Sequence, residues 1–328
     1  MKKKIRMAAA LLAALLPAGC DWGFDRNALR IAVIPKATNM EFWKSVHAGA
    51  RKAAEEQNRG DKKVRLTWKG PLREDDREQQ IQVVEGFVSQ GVHGIVLAPL
   101  DNRALVRPVE EARQAGIPAV IIDSALDSPN TLSFVATDNF RSGEIAAGHL
   151  ASLLFDSGKV VLLRFQEGSA SATAREEGFL AKMKSHHPGI VVLSADQYAG
   201  ATRETAKRAA ENLLQRLGDE IQGIFCPNES TTAGFLLALQ DAGKAGKVTL
   251  VGFDATNAFL EAMARREIHG LLVQNPYKMG YLGVKSMLDH LQGKAVPQRI
   301  DTGVVMVTAE NMNAPDIQEW IHPPAVEP

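Results

Sequence analysis

The chain has 328 residues, with 38 Lys and Arg against 38 Asp and Glu and only two cysteines. That length allows two lobes with separate cores. The balanced charge argues against a nucleic-acid partner, and so scarce a cysteine supply excludes a disulfide framework.

The first element is a leader. Lys2, Lys3, Lys4 and Arg6 precede the apolar run from Met7 to Leu16, and Pro17, Ala18 and Gly19 close it. This order marks an export signal over residues 1–19, and the run is shorter than the roughly 20 residues a membrane span needs. The stretch "LLPAGCDW" resembles the lipobox of bacterial lipoproteins, in which the cysteine after the cut is acylated. The family prefers Leu three places before that cysteine; here Pro17 stands there and Leu16 is one further back. The resemblance implies lipidation at Cys20, a short tether over 20–28 and a membrane contact made through lipid alone. Two or more acyl chains anchor stably where one does not. The alternative is an ordinary cleaved signal with an incidental Cys20. Cutting removes four basic residues, so the mature body is mildly acidic.

Strand and helix patterns then alternate. "LRIAVIP" reads as a strand and 42–57 as a helix, followed by "VRLTW" and a helix over 75–90. "GIVLAP", a helix over 103–115 and "PAVIID" continue the series to a short link at "SFVAT". Helix 142–155, "KVVLLRF", helix 172–185, "IVVLSAD", helix 202–217 and "IQGIFCP" come next. Helix 231–242, "VTLVGFD", helix 258–265, "HGLLVQ" and helix 277–291 complete it. Strands this apolar are buried on both faces, as in parallel sheets, and regular alternation gives a doubly wound α/β fold. The strands outnumber those of one compact sheet, so two similar lobes are expected. Cys226 lies in an apolar run and reads as a buried small side chain.

Signatures of catalysis are missing from the sequence: HExxH, GxSxG, GxxxxGK[ST] and a GxGxxG after a strand. The expectation is a non-enzyme without metal or cofactor. The pair His186–His187 reads as solvated, and the "NES" sequon at 228–230 is discounted in an exported bacterial chain.

In open α/β sheets ligands bind beyond the carboxyl ends of strands. The residues there are Lys36, followed by Asn39, Phe42 and Trp43; Asp123 with Ser124; Arg175, reached through "GSASATAR"; and Asn228, Asp254 and Gln274. Carboxylates and amides can bond neighbouring hydroxyls, and aromatic faces cover the C–H side of a sugar ring. Singly, strand-end Asp and Asn are common helix caps. Together they suggest a site for a polyhydroxylated ligand.

Over about residues 28–310 the chain resembles type I periplasmic substrate-binding proteins of the ribose-binding and autoinducer-2/rhamnose-binding kind. The carriers are "IPKATNMEFWKSVHAGA", "GVHGIVLAPLD", "AGIPAVIID", "VATDNFRSGEIAAGHL", "AREEGF", "NESTTAGFLLALQDAG", "VGFDAT" and "VQNPYKMGYLG". The resemblance implies Phe42 and Trp43 as paired ligand aromatics, Asp123 as the first-lobe carboxylate, Arg175 as the second-lobe arginine, and Asn228, Asp254 and Gln274 as polar ligands of the second lobe and hinge. Ser124 stands where the ribose binder has arginine, and Lys36 with "TWKGP" is closer to the autoinducer-2/rhamnose subgroup. The implied lobes are 29–137 plus 275–304 and 138–274 plus 305–320, with a tail at 321–328. They join through a hinge of three crossings, near Thr137, Gln274 and Val304. Function is implied to be capture of a sugar or polyol by hinge closure, as a monomer outside the cytoplasm, for delivery to an ABC permease. A receptor reporting the ligand to a membrane sensor is the alternative. A repressor of the lac type needs some 60 residues of DNA-binding module ahead of strand one, which begins about Leu29.

Overall fold

The computed structural model describes residues 28–60 and 62–325. The leader and Cys20 lie outside the described residues. No helix among those described is long and apolar enough to cross a membrane.

The first part of the chain runs β1 (Leu29–Ile34), α1 (Glu41–Gln57), β2 (Val64–Trp68), α2 (Arg77–Ser89), β3 (Gly94–Leu97), α3 (Val106–Gln114), β4 (Ala119–Ile122) and β5 (Ser133–Ala136). The second runs α4 (Asn139–Leu153), β6 (Gly158–Leu162), α5 (Ala170–His186), β7 (Ile190–Ser194), α6 (Arg203–Leu217), β8 (Gly223–Phe225), α7 (Glu229–Asp241), β9 (Thr249–Phe253), α8 (Asn257–Ala264) and β10 (Gly270–Gln274). The chain ends with α9 (Pro276–Leu291), β11 (Arg299–Asp301), β12 (Val304–Val307) and α10 (Pro315–Ile321).

Two six-stranded sheets result, ordered β11-β5-β4-β3-β1-β2 and β12-β10-β9-β8-β6-β7. All pairings are parallel except β12 on β10, which is antiparallel. Each sheet is covered on both faces because successive side chains alternate. In β1, Ile31 and Val33 join one core cluster while Ala32 and Ile34 join the other. In the second sheet Leu250 of β9 packs to one side, and Val251 and Phe253 to the other.

The sheets are related strand for strand: β1 corresponds to β6, β4 to β9, and β5 to β10. The helix after β5, α4, does not return to its own sheet but packs on α5 of the second. Reciprocally, α9 after β10 packs on α1 of the first. Both helix pairs cross at glycines. A Cβ at Gly280 would overlap the Val46 carbonyl oxygen, and one at Gly178 the Phe140 carbonyl oxygen, so only glycine permits the approach. The caps that start the exchanged helices correspond as well. Asp138 accepts from the Arg141 amide, and Asn275, ahead of Pro276, accepts from the Lys278 amide.

The chain changes sheet after Ala136, after Gln274 and after Asp301. The first and third crossings run side by side: the Thr302 amide donates to Ala136 O at 3.1 Å, and the Asp138 amide to Asp301 Oδ1 at 3.2 Å. Three details differ from the sequence reading. The "link" at "SFVAT" contains β5, an interior strand pairing with β4 and β11. Val304, assigned above to the first lobe, pairs with Gln274 in the second sheet, so the third crossing lies at 302–303. Ile321, placed above in a tail, is buried as the last residue of α10.

Candidate functional site

The carboxyl ends of both sheets face one another across a cleft of about 410 Å³ counting its mouth. Eight of the nine sequence candidates line it: Lys36, Phe42, Trp43, Asp123, Arg175, Asn228, Asp254 and Gln274. Asn39 does not. It is exposed on the loop before α1, and Met40, the next residue, points into the cleft instead. Turning one position along an irregular loop moves a side chain to the other side, which a sequence pattern cannot register.

The floor is charged and buried. Lys36 Nζ lies 2.7 Å from Asp123 Oδ2, with both side chains almost fully buried, and it also donates to Ser171 Oγ across the cleft at 3.2 Å. Arg175 is 3 % exposed. Its Nε donates to Asn139 Oδ1 at 2.8 Å, and its two terminal nitrogens to Pro227 O and Gln274 Oε1, both at 2.9 Å. The guanidinium lies 3.7 Å from the Phe253 ring centroid, a close cation–π arrangement. Gln274 in turn donates from Nε2 to Asp254 Oδ1 at 2.9 Å. Arg175 therefore ties together the second-lobe residues next to two crossings, Asn139 and Gln274, in one network.

Asp123 and Asp254 occupy corresponding places, each just past the end of its strand, with φ of 61° and 64°. Asp is one of the few non-glycine residues that tolerate this left-handed region. Neither is a helix cap: Thr256 caps α8, and no helix follows Asp123. Asn228 is a cap. Its Oδ1 accepts from the Thr231 amide in a reciprocal capping box, and its Nδ2 donates to Ser230 Oγ. It lines the cleft with a side chain already committed to α7.

Two carboxylates that the sequence reading missed also face the cleft. Glu74, in the charged loop after β2, accepts from Trp43 Nε1 at 2.9 Å. Glu229 is the first residue of α7. Burial raises the pKa of Glu74, pushes that of Glu229 to about 8, and pushes that of Asp254 to about 6. Ser169, Ser171 and Ala172 at the start of α5, with Phe165, form the remaining second-lobe wall.

The lobes close on each other directly. The Ser171 amide donates to Ser124 Oγ at 3.1 Å, the Asn102 amide to Gly168 O at 2.9 Å, and Gln166 Nε2 to Glu74 O at 3.1 Å. Such a cavity between the lobes, walled by acceptors, two cations and three aromatic side chains, suits a small ligand with many hydroxyl groups.

Comparison with known proteins agrees with this geometry. The chain is 28 % identical over 308 residues to the ribose import binding protein of Haemophilus influenzae, covering 94 % of this chain and 100 % of that one. It is 30 % identical over 279 residues to the D-allose-binding periplasmic protein of Escherichia coli, covering 82 % and 87 %. Among solved structures, a carbohydrate transporter solute-binding protein of Agrobacterium radiobacter in complex with D-arabinose superposes with a TM-score of 0.85 at 33 % identity, covering 90 % of this chain and 100 % of that one. An Agrobacterium vitis ABC transporter solute-binding protein with bound D-fucose gives 0.84 at 34 %, covering 89 % and 100 %. Residues 31–295 match the family described as periplasmic binding protein domain. With two corresponding α/β lobes, three crossings and a cleft between the strand ends, the chain belongs to the type I periplasmic binding proteins.

Proposed function

We propose that this protein captures a sugar or sugar-like polyol outside the cytoplasm and presents it to the permease of an ABC importer. The observation that carries the reading is the convergence of Lys36, Asp123, Arg175, Asp254 and Gln274 from both lobes on one cleft. Each lobe supplies its own strand-end carboxylate, so a ligand bonded to Asp123 and Asp254 together favours the closed state over the open one. A ligand shifts such an equilibrium only by its differential affinity for the two states. The closed outer surface is what a permease would read.

Ligand release without chemical change follows from the same residues, which hold and orient but include no paired nucleophile and base. Ser124 in place of an arginine argues against ribose as the preferred ligand. Calorimetric titration of the purified protein with pentoses, hexoses and polyols tests the reading; absence of any saturable heat would refute it. Anchoring through an acylated Cys20 belongs to the same proposal. Cys20→Ser should move the protein from the membrane fraction to the soluble one, and a wild-type protein already soluble would refute the anchor.

A further inference from the structure

The cleft does not end at Phe42. A second chamber, about 840 Å³ counting its mouth, shares Phe42, Glu229, Asp254 and Gln274 with the inner cavity and runs out to α10, where Trp320 lines it. Two of its lining groups lack partners. Ser45, on α1 one turn beyond Phe42, is 2 % exposed, and its Oγ makes no hydrogen bond among the described residues. A helical serine without another partner commonly bonds back to the carbonyl four residues earlier; this one does not. The Glu229 side chain likewise makes no hydrogen bond or ion pair among the described residues. Glu229 is half-buried, so its free carboxyl group is open to the chamber, and buried polar groups are normally satisfied, so the Ser45 hydroxyl on this wall points to something that occupies the chamber.

The chamber shares the aromatic and acidic character of the inner cavity but not its cations. The rings of Phe42 and Trp320 and the His322 imidazole stand with the hydroxyls of Ser45 and Thr256 and the carboxyl groups of Glu41, Glu229 and Asp254. Among the described residues no lysine or arginine lines it. Such a wall exchanges bonds with hydroxyl groups and, with Glu41 beside it and no lysine or arginine to pair with, does not favour a carboxylate or phosphate.

We propose that the ligand is larger than a single ring: one sugar unit fills the inner cavity, and a second neutral or aminated hydroxylated unit passes Phe42 into the outer chamber, as in a disaccharide or a glycosyl polyol. The inference rests on the carbohydrate reading of the inner cavity.

Titration calorimetry with D-xylose, D-glucose and D-galactose beside xylobiose, cellobiose, maltose, lactose, melibiose and cellobiouronic acid tests it. At least one neutral disaccharide should bind about tenfold or more tighter than its constituent monosaccharides, a difference typical of a modest second contact. The uronic acid should bind no better than glucose. Ser45→Ala and Trp320→Leu should each remove most of the disaccharide's advantage and leave the monosaccharide within about twofold. Trp320 also packs on the second-lobe core, so melting curves accompany both variants; Ser45→Ala removes an unpaired hydroxyl and should melt no lower than wild type. If a monosaccharide binds and every disaccharide containing it binds no tighter, the second subsite is refuted while the sugar reading stands. If no carbohydrate of either size binds, the sugar reading falls and this inference with it.

Discussion

Replacing Asp123 by Asn separates two roles of one carboxylate. Asparagine keeps the shape and tolerates the φ of 61° that alanine would strain, so the change is chiefly the loss of charge. Lys36, whose side chain is 5 % exposed, is then left beside a neutral amide and the Ser171 hydroxyl. Breaking a buried pair by removing one partner costs about 3–5 kcal/mol. Asn can still accept from Lys36, and the carboxylates of Glu74 and Asp254 lie close enough to feel its charge, so the lower end applies, about 3 kcal/mol. At roughly 2.1 cal/mol/K per residue over a body of about 300 residues, this lowers the melting temperature by about 5 °C. The informative partner is Lys36→Met. In Lys36→Met/Asp123→Asn the stranded cation is gone, and the double variant should melt within about 1 kcal/mol of wild type. Sugar affinity should not recover: Asp123→Asn and the double variant both lack the carboxylate and its charge-assisted bonds and bind about tenfold or more weakly. Differential scanning calorimetry and titration calorimetry on the four proteins close the cycle. A double variant that melts as low as Asp123→Asn would show that the stranded Lys36 charge is not the cause of the loss. One that binds sugar like wild type would remove Asp123 from the site.

Three further outcomes follow from the structure. Glu229, Glu176 and Asp254 have pKa values pushed by burial to about 8, 7 and 6, so the fold retains protons that the unfolded chain has released. Their stabilising contribution is complete below the unfolded values and is lost as pH rises through about 6 to 8. The unliganded melting temperature should therefore fall between pH 5 and 8.5, less steeply in Glu229→Gln; a rise across that window would contradict it. Gly280→Ala drives a methyl into the Val46 carbonyl and should cost about 3 kcal/mol or more in a circular-dichroism melt, because a backbone atom of α1 must move; an unchanged melt would mean that the helices have room. Cys226 is fully buried with its thiol pKa raised well above the ordinary range, so a thiol reagent should modify it only after denaturation, and rapid labelling of the native protein would contradict its burial.

The alternation of apolar runs and amphipathic segments was enough to read the lobes, because buried parallel strands are distinctive over four to six residues. Their carboxyl ends were legible for the same reason, and Asp123 and Asp254 follow directly from them. β5 was not: Ser133–Ala136 is four residues long and begins with a serine whose hydroxyl donates to Pro297 O, far along the chain. β11, with the sequence Arg-Ile-Asp, carries no apolar run at all. Glu74 sits in "REDDRE", where a solvated charge run is the ordinary reading, and only the folding of that loop beneath Trp43 turns one of its carboxylates inward. Asn228 shows the converse: the position was legible, but the choice between cap and ligand depended on where the Thr231 amide points.

The exchange of α4 and α9 between sheets also governs the order in which the protein can be completed. The first sheet lacks both its β11 edge and the α9 layer that brings Val284, Met287 and Leu288 onto Val96, Val120 and Ile122 until some 300 residues have been made. The second sheet waits for β12 and α10, later still. Neither lobe can therefore finish folding as a nascent N-terminal unit, and neither can be excised as one continuous segment without baring an apolar face. Pairing between distant segments is slow. The cleft between the lobes is therefore assembled last, once the C-terminal segments have joined both sheets.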